Sequence, residues 1–249
     1  MKLAGDVAIL RLNNGKANAI DVAFLDKLDK FLDGADAVGA KAAVITGYDR
    51  YFSAGLALPS LIALERPAMH AFITRFSETM LRVYAAPLPI IAAINGHAIA
   101  GGCVLALMCD RRFMVSEGGK IGLNEIQLGI GLPASVLEPL RAAVLATSLG
   151  AIAQEGLVMT ASEAQAHGLV DELVEPKELE TYALRTAQML AELNQAGWSQ
   201  IKGAIRRPVL EAVRKVGAEE TERWLDSWFS QGARRRIIEL VGKLEARRS

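Results

Sequence analysis

The chain has 249 residues and a mass of 26.7 kDa, with 51% hydrophobic and 22% charged residues and a mean hydropathy of +0.23. A chain of this length buries roughly 70–75% of the surface its unfolded form exposes, so it needs no disulfide or metal staple, and its composition excludes disordered, collagen-like and fibrous proteins. Its 28 Lys and Arg balance its 28 Asp and Glu, so no field of one sign draws it to nucleic acid or to an acidic membrane.

The balance is uneven along the chain: residues 201–249 carry 12 basic against 7 acidic side chains, which leaves the first two hundred with an acidic excess. Arg234, Arg235, Arg236, Lys243, Arg247 and Arg248 read first as solvated helix faces, with a phosphate-bearing ligand or a neighbouring subunit as the other use. Cys103 and Cys109 lie in an apolar stretch at neither a disulfide nor a zinc spacing, and read as small core residues. His70, His97 and His167 are far apart, so no metal site is expected. The N-terminal stretch lacks the pattern of an export signal, which makes the cytoplasm the expected address. No charge occurs between Arg82 and Asp110, yet Pro87, Pro89, Asn95-Gly96 and Ala100-Gly101-Gly102 punctuate that stretch as buried strand, turn and buried helix rather than a membrane span.

No internal repeat or linker divides the sequence, which favours one continuous unit. In chain order, 7–12 is a β-rich run closed by Asn13-Asn14-Gly15, and Asp21 opens an amphipathic helix through Phe24, Leu25, Leu28, Phe31 and Leu32. The pattern returns as a strand at 42–47, a turn at Ser53-Ala54-Gly55 and a helix over 68–84, and again as a strand at 89–94, Gly96, and a helix over 101–108. Short strands are predicted at 112–115 and 120–122, followed by a helical region from Pro133. From Ser162 onward the chain reads as helices: 162–166 capped by His167-Gly168, then 176–193, 198–216, 219–229 and 231–244. Repeated strand, glycine turn and helix units imply an α/β protein with ligand chemistry at the turns. Trp224, Leu225, Trp228 and Phe229 share one helix face, which reads as core or subunit seam rather than a cofactor box.

Three stretches poor in ionisable groups carry the candidate chemistry: 52–58 (FSAGLAL), 95–103 (NGHAIAGGC) and 121–129 (IGLNEIQLG). Glycine-rich turns leave backbone N–H groups able to point at a ligand oxygen, most of all where Gly101-Gly102 opens a helix, although such turns are more often plain geometry. Glu125 lies among Leu123, Ile126, Leu128, Ile130 and Leu132; burial there would raise its pKa and suit it to proton transfer, whereas a surface or N-cap carboxylate is the commoner role for that spacing. Asn124 beside it would steer the carboxylate or satisfy local backbone. Neither a catalytic triad nor a phosphate-binding loop motif competes with these stretches.

Five segments together carry a family resemblance: LNNGKANA at 12–19, FSAGLAL at 52–58, PLPIIAAINGHAIAGGCVLALMCD at 87–110, GLNEIQLGI at 122–130 and TASEAQAHGLVDELV at 160–174. Over nearly its whole length the chain resembles the crotonase, or enoyl-CoA hydratase/isomerase, family, and the wording of IGLNEIQLGI and AGGCVLALMCD is most similar to its mitochondrial-type Δ3,Δ2-enoyl-CoA isomerase branch. The resemblance implies a spiral of stacked ββα units over 1–195 that carries an acyl-CoA site. It also implies a helical trimerisation region over 196–249, with assembly into homotrimers or hexamers. No cofactor is implied, because coenzyme A arrives as part of the thioester substrate.

Carried over by position, the resemblance implies an oxyanion hole made by the backbone N–H groups of Leu56 and Gly101. Ala54, Gly55, Ala57, Leu58 and Asn124 would contact the substrate, and Lys16-Ala17-Asn18 would lie towards its nucleotide end. The 68–84 helix and 128–133 would line the acyl pocket. Family hydratases place two glutamates about the double bond; here Val104 takes the first position and Glu125 the second. One carboxylate fits an isomerase that carries a proton from C2 to C4 of a 3-enoyl thioester. Hydration by Glu125 with another partner, or a catalytically idle acyl-CoA binder or scaffold, are the alternatives. Ala57 replaces the Asp of the family pattern, which puts the order of the Leu56 loop in question.

Overall fold

The computed structural model describes residues 1–15 and 17–246, so the expectations placed on Lys16, Arg247 and Arg248 lie outside the described residues. In chain order the elements are β1 (Lys2–Ala4), β2 (Val7–Arg11), α1 (Val22–Ala37), β3 (Ala42–Thr46), β4 (Tyr51–Ser53), α2 (Leu58–Leu61), α3 (Arg66–Ala85), β5 (Ile90–Ile94), β6 (His97–Ile99) and α4 (Gly101–Met108). There follow β7 (Arg111–Val115), β8 (Lys120–Gly122), a 3-10 turn at Glu125–Leu128, α5 (Ala134–Ala143), α6 (Leu149–Ala153), β9 (Val158–Thr160), α7 (Ala161–Ala166), β10 (Glu172–Val174), α8 (Leu179–Ala191), α9 (Gln195–Phe229) and α10 (Gln231–Ala246). No described helix is long and apolar enough to cross a membrane.

From β3 to β8 two sheets take strands alternately. The larger has the order β1-β2-β3-β5-β7-β10, parallel except for the β1–β2 pair, and the smaller has the order β4-β6-β8-β9, closed by an antiparallel β8–β9 pair. Each ββα unit therefore lays one strand in each sheet and returns through a helix, the right-handed way to keep adding parallel strands. The central strands AAVIT and IIAAI are buried at every position, as expected of parallel strands covered on both faces. The corner between β5 and β6 requires Gly96, because a Cβ there would fall on the Arg50 carbonyl of the preceding unit.

Helix α4 is buried on all sides, which its wholly apolar sequence GGCVLALM permits, and Cys103 and Cys109 are core residues within and beside it. Helix α3 buries Met69, Phe72, Ile73, Phe76, Met80 and Val83 along one stripe.

The strands β1, β4, β6 and β9, each three residues long, escape the sequence reading. The all-helical reading beyond Ser162 is corrected at β10, which pairs Glu172 with Phe113 of β7. Salt bridges from Arg112 to Asp171 at 2.7 Å and from Arg111 to Glu172 at 2.5 Å hold that edge. The two helices expected at 198–216 and 219–229 are one, α9, since Gly217 costs a helix only about 1 kcal/mol and nothing around it demands a turn.

Helix α9 is fastened to the sheets by a buried charge cluster. Asp110 accepts from Lys202 Nζ and from Arg206 Nη2, both at 2.7 Å, and from the Ile90 backbone at 2.8 Å. Lys202 also reaches the Leu88 carbonyl at 2.9 Å, while Arg206 donates to the carbonyls of Tyr84 and Met108 and lies 4.1 Å over the Tyr84 ring. Burial pulls the Lys202 ammonium down to about 8, with Asp110 opposing the fall.

Candidate functional site

The stretches at 52–58 and 95–103 meet where β4 and β6 run side by side. A Cβ at Gly55, whose φ is +85°, would stand 2.9 Å from the Ile99 carbonyl oxygen and 3.0 Å from the Gly101 nitrogen. A Cβ at Gly102 would overlap the Ser53 carbonyl. Glycine at both positions is thus the condition for the two turns to touch. Ala100, which joins β6 to α4, adopts φ 51° and ψ −121°, a conformation that strains any residue with a Cβ.

This close approach leaves two amides over. Among the described residues neither the Leu56 N–H nor the Gly101 N–H has a protein acceptor: Leu56 lies between bonded neighbours, and Gly101 is the first residue of α4. The order of the Leu56 loop does not depend on an aspartate at 57. Ile20 donates to the Gly55 carbonyl at 2.8 Å and accepts from Ala57 at 2.9 Å, a β-bridge that brackets Leu56. Below it, Ala54 donates to the Ala17 carbonyl at 2.9 Å, and Ser53 Oγ donates to the Asn18 carbonyl at 2.7 Å. Asn18 is buried in a positive-φ conformation and donates from Nδ2 to the Phe52 carbonyl, so the LNNGKANA segment serves as the brace of the loop.

Glu125 opens the 3-10 turn that follows β8, and Asn124 precedes it without capping the turn through its side chain. The Glu125 residue as a whole is half-buried, but its Oε2 is sealed from solvent and has no hydrogen-bond partner. Burial pushes the carboxyl up to about 7, against the opposing pull of its own backbone N–H. The surface or N-cap role is therefore corrected: Oε2 lies inside the protein although the adjacent Ile126 is exposed. The same carboxylate, together with burial as the larger cause, holds the nearby Cys103 thiol far above its ordinary range.

Glu125, Leu56 and Gly101 line a single cavity of about 300 Å³. Ala54, Ala57, Leu58 and Asn124 also line it, whereas Gly55 is buried behind the loop and shapes the contact without facing the space. Val104 lines the wall, and Glu125 is the only ionisable side chain of that lining among the described residues. Ile73 and Phe76 of α3, with Leu128, Ile130, Leu132 and Pro133, form apolar walls where the sequence placed them. Trp224 and Trp228 of α9 and Leu240 and Leu244 of α10 complete it. The tryptophans are core residues, as their helical spacing suggested, but nothing in that spacing shows that the core they join borders the cavity.

An arrangement of two unpaired amides and one buried carboxyl with a near-neutral pKa, inside an apolar cavity, can hold an oxyanion and move a proton. Comparison with known proteins identifies the family. Residues 3–243 match the family model described as enoyl-CoA hydratase/isomerase. A protein of Rhizobium meliloti named probable enoyl-CoA hydratase is 31% identical over 91% of this chain and 87% of its own length. Human mitochondrial enoyl-CoA delta isomerase 1 is 34% identical over 85% of this chain and 68% of its own. In fold, the crystal structure of human mitochondrial delta3-delta2-enoyl-CoA isomerase superposes with a TM-score of 0.93 at 23% identity, covering 98% of this chain and 96% of that one. The close-packed glycine turns, the cavity they share with Glu125, and a family match over almost the whole length lead to one conclusion: the chain belongs to the enoyl-CoA hydratase/isomerase family.

Proposed function

We propose that the protein isomerises 3-enoyl-CoA to 2-enoyl-CoA, with Glu125 carrying one proton from C2 to C4. The observation that carries this reading is the solitary Glu125 carboxyl, its Oε2 buried without a hydrogen-bond partner, facing a cavity in which Val104, at the family's first glutamate position, supplies no carboxylate.

Ionised Glu125 takes a proton from C2, and the electron pair of that C–H bond passes into the thioester carbonyl to give a dienolate. The Leu56 and Gly101 amides donate to its oxygen, at roughly 3 kcal/mol per donor, in a cavity lined mainly by apolar side chains. Protonated Glu125 then returns the proton to C4; the C3–C4 double bond becomes single, C2–C3 becomes double, and the carboxylate is restored. Valine at 104 neither orients a water nor exchanges a proton, which leaves hydration without its second group. Ala54, Ala57, Leu58 and Asn124 position the thioester in this reading, coenzyme A enters as part of the substrate, and no separate cofactor is required.

The test is spectrophotometric. Purified protein given a 3-enoyl-CoA should generate the ultraviolet absorbance of the conjugated 2-enoyl-CoA, and Glu125→Gln should lose that rate while acyl-CoA still raises its Tm. Consumption of 2-enoyl-CoA absorbance would mark a hydratase instead, and binding without either change an idle acyl-CoA binder. The same reading carries assembly into homotrimers or hexamers, supported by apolar side chains left on the surface, such as Ile205 and Leu145, and tested by light scattering on the eluted protein.

A further inference from the structure

On the acyl-CoA reading above, we infer that the stacked indoles of Trp224 and Trp228 are the closed end of the acyl cavity and set the longest tail the protein accepts. The cavity has an exposure gradient along its walls. Leu58 is half-buried and Leu244 is 37% exposed, which marks the open side, whereas Trp224 and Trp228 belong to the buried part of the lining together with Ile73, Phe76, Val104 and Val136, and are its two largest side chains. The two rings stack with centroids 5.3 Å apart and planes 22° from parallel, so each braces the other and the pair acts as one block rather than two independently adaptable side chains.

That block is held in place at several points. Ser227, between the two tryptophans, accepts from the Gly131 backbone at 3.0 Å and donates to the Trp224 carbonyl at 2.7 Å. The first contact ties the indole segment to the loop that leaves Glu125, so the distance from the carboxyl to the floor is fixed by the chain itself. Further up α9, the Asp110 cluster with Lys202 and Arg206 prevents the helix from sliding. Trp228 Nε1 has no hydrogen-bond partner, so packing alone seats that ring, and a smaller apolar side chain would open space without stranding a partner. A close-packed wall excludes a longer tail instead of yielding to it, since each methylene beyond the limit must displace ring atoms.

Saturated straight-chain acyl-CoA esters from four to sixteen carbons test this, because they bind without reacting and so report on the floor independently of the isomerase chemistry. In titration calorimetry with the full chain, affinity should rise with length to an optimum and then fall by about tenfold or more per added methylene. Trp228→Leu should move that optimum to tails longer by two or more carbons, Trp224→Leu should move it in the same direction, and Trp198→Phe, outside the cavity lining, should leave it in place. Trp228→Phe carries the comparison if Trp228→Leu fails to fold, with a smaller shift in the same direction. An unchanged optimum in the folded Trp224 and Trp228 variants overturns the inference while leaving the acyl-CoA reading intact; absence of binding at every length overturns both.

Discussion

Two of the places where this molecule buries ionisable groups do opposite things. Around Asp110 every charge has a partner: two cations, two backbone carbonyls on Arg206, one on Lys202, and a backbone amide on the carboxylate itself. At Glu125 one carboxylate oxygen has none. Paired charges in a low-dielectric interior resist movement, because separating them leaves bare charge, so the Asp110 cluster anchors α9. A lone carboxyl resists only ionisation. With its pKa held up to about 7, it exchanges its proton near neutrality, which is what a proton carrier needs. Burial by itself therefore assigns neither role; the number of partners does.

The sharpest way to break this contrast is at Glu125. Glu125→Gln keeps the shape and removes the exchangeable proton, so the isomerase rate should fall by about 10²–10⁴-fold with KM nearly unchanged, read from the growth of conjugated absorbance. In the wild type kcat/KM should rise with pH through about 7, as the carboxyl ionises, and then level off.

Asp110→Ala should do the reverse, leaving the chemistry's groups in place while stranding two buried cations, at about 3–5 kcal/mol of stability by denaturant unfolding. A folded Asp110→Ala as stable as wild type would end the anchor argument.

Glu125 also predicts a pH dependence of stability with a definite sign. Between its ordinary value of 4.5 and about 7 the unfolded chain releases this proton while the folded protein retains it, so stability falls as pH rises through that window. Glu125→Gln lacks the penalty and should be more stable than wild type at pH 8 by up to about 3 kcal/mol, with the difference gone at pH 4. A difference that persists at pH 4 would show that the carboxyl ionises freely in the folded state.

The smallest effect tests the glycine contact that joins the two turns. Gly102→Ala sets a methyl on the Ser53 carbonyl and should lower stability by about 1–3 kcal/mol, with kcat falling more than KM rises because the Gly101 amide moves with it.

Much of this was legible in the residues themselves. The unbroken apolar runs of β3 and β5, the glycine corners and the wholly apolar α4 specify alternating strands and helices, because each is a local pattern with a local physical cause. The ordered motifs from LNNGKANA to the 160–174 segment carry the family, and Val104 against Glu125 poses the choice between one carboxylate and two. Spacing alone still favoured a surface carboxylate at 125, since a sequence shows neighbours along the chain and not the layer above. Tertiary packing decided that point, by closing apolar walls from α3, α5 and α9 around the cavity that Glu125 lines. It also decided that Ile20 braces the loop in place of an aspartate at 57, and that two tryptophans a hundred residues further on share that cavity. Each of these depends on contacts between segments far apart in the chain, whose alignment is set only when the two sheets and the long C-terminal helix pack together.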